Sequence, residues 1–377
     1  MRCRAPLGLL VGLGVAFGAW RAHAEPVFLS RQYTRCTTCH YSPTGGGLLT
    51  PYGSSLSREE LSSMGGSLPA SQTGPGHEQD FLWGVLGDRL GPVSLGLDVR
   101  PAHLSVGFPG GDFTRNLLMT ADLLAVYQVK GWTAYGEIGR QPRSDGTRID
   151  SYEYWVGHQT DRGLGFRVGR FLPAYGVRLA DHTALTRAPL GLDAYDQVPG
   201  FELSHASERH LLQLSLSPGR GDAVFHDDGT RAFTATGRFQ VDLGPRSVLV
   251  VSGLFRDAAR LQARNGAGGV AFGYAPTSRL SVWSEADVQV RQGASGAPAY
   301  ALLNETGFEV FRGVWLKVSP QLRTELGDTS AGVLRLAFEL NLLPRTHWNV
   351  DVSFYRDRDR SSDAVARTLL AQLHLYL

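Results

Sequence analysis

Beyond about residue 93 the chain is written with a period of two. Leu280, Val282, Ser284, Ala286, Val288 and Val290 share one face, and Ser281, Trp283, Glu285, Asp287, Gln289 and Arg291 share the other. This alternation predicts a strand with one apolar and one polar side. Leu334, Leu336, Phe338, Leu340 and Leu342 alternate in the same way with Arg335, Ala337, Glu339 and Asn341, and Trp348, Val350, Val352 and Phe354 with Asn349, Asp351, Ser353 and Tyr355. At the C-terminus Leu369, Ala371, Leu373, Leu375 and Leu377 alternate with Leu370, Gln372, His374 and Tyr376. Strands are predicted at 93–106, 115–129, 131–143, 148–160, 163–173, 200–206, 209–218, 231–243, 246–257, 268–276, 278–291, 298–311, 313–326, 332–343, 346–357 and 366–377, sixteen in all. Most have about ten residues, the length that crosses a bilayer when tilted, whereas nothing here approaches the roughly 18 apolar residues of a membrane helix.

The connections also alternate. Val129-Lys130-Gly131-Trp132, Leu243-Gly244-Pro245-Arg246, Ala275-Pro276-Thr277-Ser278, Phe311-Arg312-Gly313 and Leu343-Pro344-Arg345-Thr346 read as tight turns, and 217–231, 257–268 and 356–367 as longer loops. Short turns on one side and long loops on the other are the habit of outer-membrane barrels. A soluble sandwich would show similar strands one at a time. The even count, the loop pattern and the aromatics near strand ends (Trp132, Trp315, Trp348) favour the membrane. The expected fold is therefore all-β, an antiparallel transmembrane β-barrel of about 16 strands over residues 79–377. Asp98, Arg100, Asp122, Glu285, Asp287 and Glu339 are expected to face its lumen, as solvating groups or as weak holders of metal ions. The segment 174–199 is too long for an ordinary turn. It either folds inward, with Asp181, His182 and Arg187 at a constriction, or covers the outer mouth.

With 377 residues, a formal charge of +2 and 19% charged residues, the chain has neither the basic excess of a nucleic-acid binder nor the acidity of a disordered tail. Its beginning reads as an address. Arg2 and Arg4 precede an apolar run over 7–20, and Ala22-His23-Ala24 supplies the small residues of a processing site. A signal peptide over 1–24 is expected, removed after Ala24; the run is short for a membrane anchor, which needs about 20 apolar residues.

The mature chain then keeps two cysteines, Cys36 and Cys39, followed directly by His40. This is the C-x-x-C-H pattern of haem c attachment. Two thiols at that spacing form thioethers to one porphyrin, and the adjacent histidine serves as proximal iron ligand. Structural zinc would want a second ligand pair, a thioredoxin-like site a βαβ surround, and a disulfide would leave His40 unexplained. For the sixth ligand the choices are Met64, His77, a histidine from elsewhere in the chain, or an open position. A turn-rich wrap follows the motif over 41–53, and a short helix is expected with Ser57 as cap and Glu59 and Glu60 in its first turn. Residues 67–78 read as a linker. The haem-binding segment, 25–78 with its linker, is too small for a strong core of its own and should lean on something larger.

A processing signal, one C-x-x-C-H, the Thr50-Pro51-Tyr52-Gly53 stretch and a sixteen-strand remainder together make the chain resemble the fused monohaem cytochrome porins of bacterial outer membranes, which include enzymes of iron oxidation. The resemblance implies one covalent haem c on Cys36 and Cys39, with His40 as proximal ligand, held on the periplasmic side. It also implies outer-membrane lipid as surroundings, a periplasmic electron carrier as partner, and an extracellular or lumenal redox donor or acceptor such as ferrous iron. If the chain is an enzyme, it is then an oxidoreductase acting on a metal ion or small redox donor. The other reading is a passive porin whose haem segment is a sensor or plug.

Overall fold

The computed structural model describes residues 26–63, 91–140, 149–179, 181, 183–193, 196–219, 232–258, 263–292, 296–345 and 348–376. The expected signal peptide, Met64, His77 and His182 lie outside them.

Sixteen antiparallel strands close into one barrel in which each strand pairs with its neighbours in sequence and the first pairs with the last. They are β1 Val93–Phe108, β2 Gly111–Val129, β3 Trp132–Arg140, β4 Tyr154–Gln159, β5 Leu164–Phe171, β6 Val198–Ala206, β7 His210–Ser217 and β8 Phe233–Gly244. The second half comprises β9 Ser247–Ala258, β10 Ala263–Thr277, β11 Leu280–Arg291, β12 Ala299–Phe311, β13 Val314–Glu325, β14 Asp328–Arg345, β15 Trp348–Asp359 and β16 Val365–Tyr376. Closure joins Asp98 to Tyr376 and Gly107 to Arg367 in register. A closed ring leaves no unpaired sheet edge, the condition for β-structure in hydrocarbon.

The two faces sort as the alternation requires. On β11 Ser281, Trp283, Glu285, Asp287 and Gln289 are buried inward, while Val288 and Val290 are exposed outward. Leu123, Val156, Phe201, Leu214, Val270, Leu302, Leu316 and Phe338 are likewise exposed, so the apolar face is the outer one. A water-soluble sandwich would hide that face; here the hidden face is polar. No described helix is long and apolar enough to cross a membrane.

Three expectations are corrected. The stretches 257–268 and 356–367 are not long loops: β9 and β10 run to Ala258 and from Ala263, and β15 and β16 to Asp359 and from Val365. Their charged residues keep the alternation and pair across the hairpins, as with Arg264 and Asp257 at 3.0 Å. Trp315 does not belong to an outer aromatic belt; it is buried in the lumen with its ring edge-on to Phe28. The short helix starts at Pro51, not after Ser57.

The barrel interior is filled from two directions. At the short-turn mouth sits the N-terminal stretch 26–63. From the other side the β5–β6 connection crosses the lumen, which settles the choice left open for this loop. Tyr175 donates to Asp287 at 3.0 Å and the Gly176 amide to Ser252 at 2.8 Å. The Leu185 amide donates to Gln321 at 2.8 Å, and Arg335 donates to the Thr183 carbonyl at 2.8 Å. These anchors lie on β9, β11, β13 and β14, across the barrel from where the loop departs. The two fillings meet in one apolar cluster, where Leu29 packs with Val177, Leu179, Ala184, Val248, Ala271 and Trp283.

Candidate haem-attachment site

The described N-terminal chain opens with a 3-10 turn, Pro26–Arg31. It is fastened to the lumen wall just ahead of the cysteines. Arg31 pairs with Glu309 at 2.5 Å. Thr34 donates to Asp242 at 3.1 Å, and Arg35 donates to the Ser207 carbonyl at 2.6 Å and to Asp242 at 3.2 Å. Gln240 donates to the Thr34 carbonyl at 2.9 Å. Asp242, Gln240 and Glu309 are inward positions near the short-turn ends of β8 and β12. The site is therefore bolted to the barrel immediately before the motif begins.

Cys36–Thr38 forms one 3-10 turn. The Cys39 and His40 amides both donate to the Cys36 carbonyl, at 3.1 and 3.0 Å. That single turn gathers Cys36, Cys39 and His40, and the two thiols are not joined to each other. The following stretch doubles back: the Tyr41 amide donates to the Leu48 carbonyl at 3.2 Å and the Thr50 amide to the Cys39 carbonyl at 2.9 Å. Gly47 stands at φ +62, and a Cβ there would fall 1.9 Å from the Tyr135 hydroxyl, so glycine is needed for both backbone and space. Ser42 donates to Glu153 at 2.7 Å, and Leu48 enters a cluster with Leu124, Val126, Tyr135, Trp155 and Phe171. The wrap thus leans on the lumen wall, the larger body that a segment of this size needs.

Helix α1, Pro51–Leu56, begins where Thr50 accepts the Gly53 amide at 3.1 Å, with Pro51 in the first turn. This N-cap and N1 proline precede the serine expected as the cap, and Ser57–Leu61 continues α1 as a wider turn. The Thr50-Pro51-Tyr52-Gly53 stretch has a clear physical role. Thr50 starts the helix, and Gly53 lets it lie against the motif: a Cβ on Gly53 would be 2.3 Å from the Cys39 carbonyl oxygen. Leu56, Leu61 and Leu343 then pack with Phe28, Tyr33 and Cys39. Because the obstruction is backbone, Gly53→Ala is expected to lift α1 from the motif. Limited proteolysis should cut between residues 40 and 63 at least tenfold faster, a shift of about 1.4 kcal/mol in local opening. Thr50→Ala, which loses only the cap, is expected to cost about 1 kcal/mol.

The electrostatics suit ligation. Burial, and then the Arg178 cation, hold the His40 imidazole down at about 4, so it is neutral at physiological pH as a metal ligand must be. The backbone of Gly46 and Gly47 lies against the ring and opposes this shift, while Nδ1 is buried without a well-formed hydrogen bond. Burial, and then its neighbour Cys36, push the Cys39 thiol up to about 11, and burial raises Cys36 against the opposing Arg238 and Arg178. Arg238 also donates to the Gly176 carbonyl and to Gln240, both at 2.8 Å; both guanidiniums would place positive charge beside a porphyrin held on these thiols. Two unjoined thiols, an unspent imidazole nitrogen and nearby cations fit haem c. Among the described residues no group of three or more His, Cys, Asp and Glu is arranged to hold a bare metal ion.

The lumenal carboxylates have other work. Asp98 pairs with Arg100 at 2.5 Å and lies 3.2 Å from His374 across the closing seam. Glu285 pairs with Arg187 at 2.5 Å, and Asp287 accepts from Tyr175. Glu339 accepts from Lys317 at 2.8 Å. Asp122 is buried with its own partners. Asp181 stands 3.9 Å from Arg335. These charges therefore brace the wall and the inward loop. Sequence reasoning missed Arg31, Thr34, Arg35, Asp242 and Glu309. The available signal was the pair of arginines just ahead of the motif and the carboxylates at inward positions beside short turns.

No protein-family model matches the chain, and no curated protein matches it. Its barrel is similar to solved porins. OmpT of Vibrio cholerae, an outer membrane protein in trimer form, aligns with a TM-score of 0.58 and 9% identity over 76% of this chain and 99% of that one. An anion-selective porin from Comamonas acidovorans gives 0.55 and 11% over 76% and 99%. OprB of Pseudomonas putida gives 0.59 and 8% over 77% and 97%. At such identities the likeness carries the fold: this is a porin-type barrel.

Proposed function

We propose that the chain is an outer-membrane porin-type barrel whose short-turn mouth holds a monohaem c-type cytochrome segment. In this reading it relays electrons between a lumenal or extracellular donor or acceptor, ferrous iron being one candidate, and a periplasmic carrier. The membrane part of the reading is supported by the closed sixteen-strand ring with an apolar exterior and by its likeness to porins. One observation carries the redox part: Cys36, Cys39 and His40 lie on a single turn fixed to the barrel by Arg35, Thr34 and Asp242.

When bound, a haem c supplies a one-electron couple whose potential follows its axial ligand and its burial. The chain's own residues do the rest. Cys36 and Cys39 provide the tethers and His40 a neutral imidazole. Arg178 and Arg238 supply positive charge, and the wrap over 41–49 with α1 closes the motif against the wall. Placing the tether in the mouth matters because the apolar band is about 25 Å tall, further than one porphyrin spans unaided.

The deciding experiment is a redox titration of the detergent-extracted full-length protein with its visible spectrum. A Soret band that follows a single one-electron wave and stays with the polypeptide on a denaturing gel is expected. A colourless protein, or colour lost on denaturation, overturns the cytochrome reading. A second reading, a plugged porin whose haem is a sensor, is favoured by one observation: segment 26–63 and the β5–β6 loop meet inside the lumen. In proteoliposomes, rapid change of the haem spectrum on adding external ferrous iron separates relay from sensor.

A further inference from the structure

The short-turn mouth carries a charge pattern that electron transfer does not use. The β2–β3 turn holds Lys130, β4–β5 Arg162, β6–β7 Arg209, β8–β9 Arg246, β10–β11 Arg279 and β12–β13 Arg312. Arg345 ends β14 at the next connection. Among the described residues, each of the six turns from β2–β3 to β12–β13 thus contributes one basic residue, against two acidic ones, Asp161 and Glu208. Lys130, Arg162, Arg209, Arg279 and Arg312 are exposed and Arg246 is half-buried. Arg312 is engaged with the carbonyls of Ser62 and Glu59; among the described residues no ion pair occupies Lys130, Arg162, Arg209 or Arg279. The opposite mouth is mixed, with Asp112, Asp328, Asp359 and Asp363 at its hairpins and Arg358 paired to Asp363 at 2.8 Å.

Directly beneath the basic rim, on the outer face, runs an aromatic belt. Trp132 is 46% exposed; its ring centroid lies 4.8 Å from His158 and 5.8 Å from Phe166, and Phe166 lies 6.4 Å from Phe201. The belt continues through His205, His210 and Phe239, with centroids 5.4 and 6.2 Å apart, to Tyr274 and Phe311. Amphipathic rings in a lipid-facing wall mark headgroup depth. The basic turns lie just beyond it, at the level of lipid phosphates, and they are spread along the rim from β2 to β13 instead of gathering at one point. A protein partner would call for a compact patch; charge spread over six successive hairpins matches an annulus of lipid.

We infer that the short-turn rim is a binding ring for anionic phospholipid headgroups, with one cation per hairpin meeting the phosphates of the leaflet around the mouth. The ring does not depend on the haem. Juxtamembrane basic residues each strengthen such binding about fivefold.

The test uses full-length protein in neutral detergent, titrated separately with phosphatidylglycerol and phosphatidylcholine and read by native mass spectrometry. The comparison is with Lys130→Gln/Arg209→Gln/Arg279→Gln, which leaves Arg312 and its hold on the N-terminal segment intact. Wild type should retain several phosphatidylglycerol molecules and few phosphatidylcholine, and raised salt should strip them. The triple variant should bind phosphatidylglycerol about a hundredfold more weakly, while migrating on an unheated gel as a folded barrel. Arg323→Gln, a substitution at the other end of β13, should leave lipid retention unchanged. Equal retention of the two lipids, or unchanged retention by the folded triple variant, overturns the inference. So does loss in the triple variant of binding to an acidic soluble cytochrome without loss of phosphatidylglycerol, which would give the ring to a protein partner. If the triple variant does not fold, the lipid preference and salt response of wild type still decide.

Discussion

Replacing Cys36 and Cys39 with serine is expected to remove all covalently held visible absorbance from the purified protein while the barrel still forms. The two thiols are the only cysteines outside the expected signal peptide, so nothing else on the mature chain can form a thioether. Their loss leaves the anchors of the segment untouched, because Arg31, Thr34 and Arg35 are held by Glu309, Asp242 and Ser207 without help from sulfur. The measurement pairs haem staining on a denaturing gel with heat-dependent gel mobility. A folded double variant that keeps its stain would remove Cys36 and Cys39 from the account. His40→Ala should differ from it: the stain remains, but the spectrum and potential change as an axial ligand is lost.

The second large effect concerns the loop across the lumen. Arg187 is buried and meets Glu285 at 2.5 Å, and its guanidinium lies 3.7 Å from Asp287. It also donates to the Val177 carbonyl at 2.8 Å and stacks over Tyr175 with 5.3 Å to the ring centroid. Gly176 is held so tightly beside this group, at φ +52, that a Cβ would come within 2.0 Å of both Arg187 and Glu285. Arg187→Ala strands two carboxylates in the interior, a change that typically costs about 3–5 kcal/mol. The loop is then expected to leave the lumen, and single-channel conductance in planar bilayers should rise severalfold over wild type. Glu285→Gln/Asp287→Asn on the Arg187→Ala background should recover part of the loss, since it removes the uncompensated charge. Unchanged conductance in both variants would show that the loop is not what narrows the pore.

The barrel was legible because its polar face points inward. In a chain whose strands bury one side in lipid and the other in water and salt bridges, the period of two survives along nearly every strand, and β11 could be read residue by residue. Legibility failed at the hairpin tips. Arg356, Asp357, Arg358 and Asp359 look like loop by composition, yet each continues the ladder, with Arg358 opposite Val365. Charge was mistaken for irregularity because beyond the bilayer both faces of a strand can be polar. The haem motif was legible from spacing alone, whereas its seat was not. Arg35 reaches Asp242 across 207 positions of sequence, and no local pattern announces a partner so distant. The helix cap went to the wrong residue for a simpler reason. Ser57 precedes two glutamates, but Thr50 precedes a proline, and the proline cannot follow a helical turn as easily as it can begin one.

The wall that holds the segment is an unbroken ring, closed by the backbone ladder where the earliest strand meets the last. A stretch of chain that precedes that ring in sequence and yet lies within it can arrive only through an open end or before the final strand is laid down. Any group joined to Cys36 and Cys39 makes the same journey. The topology thus admits two orders of maturation: the guest enters by the mouth of a finished ring, or the ring closes around it.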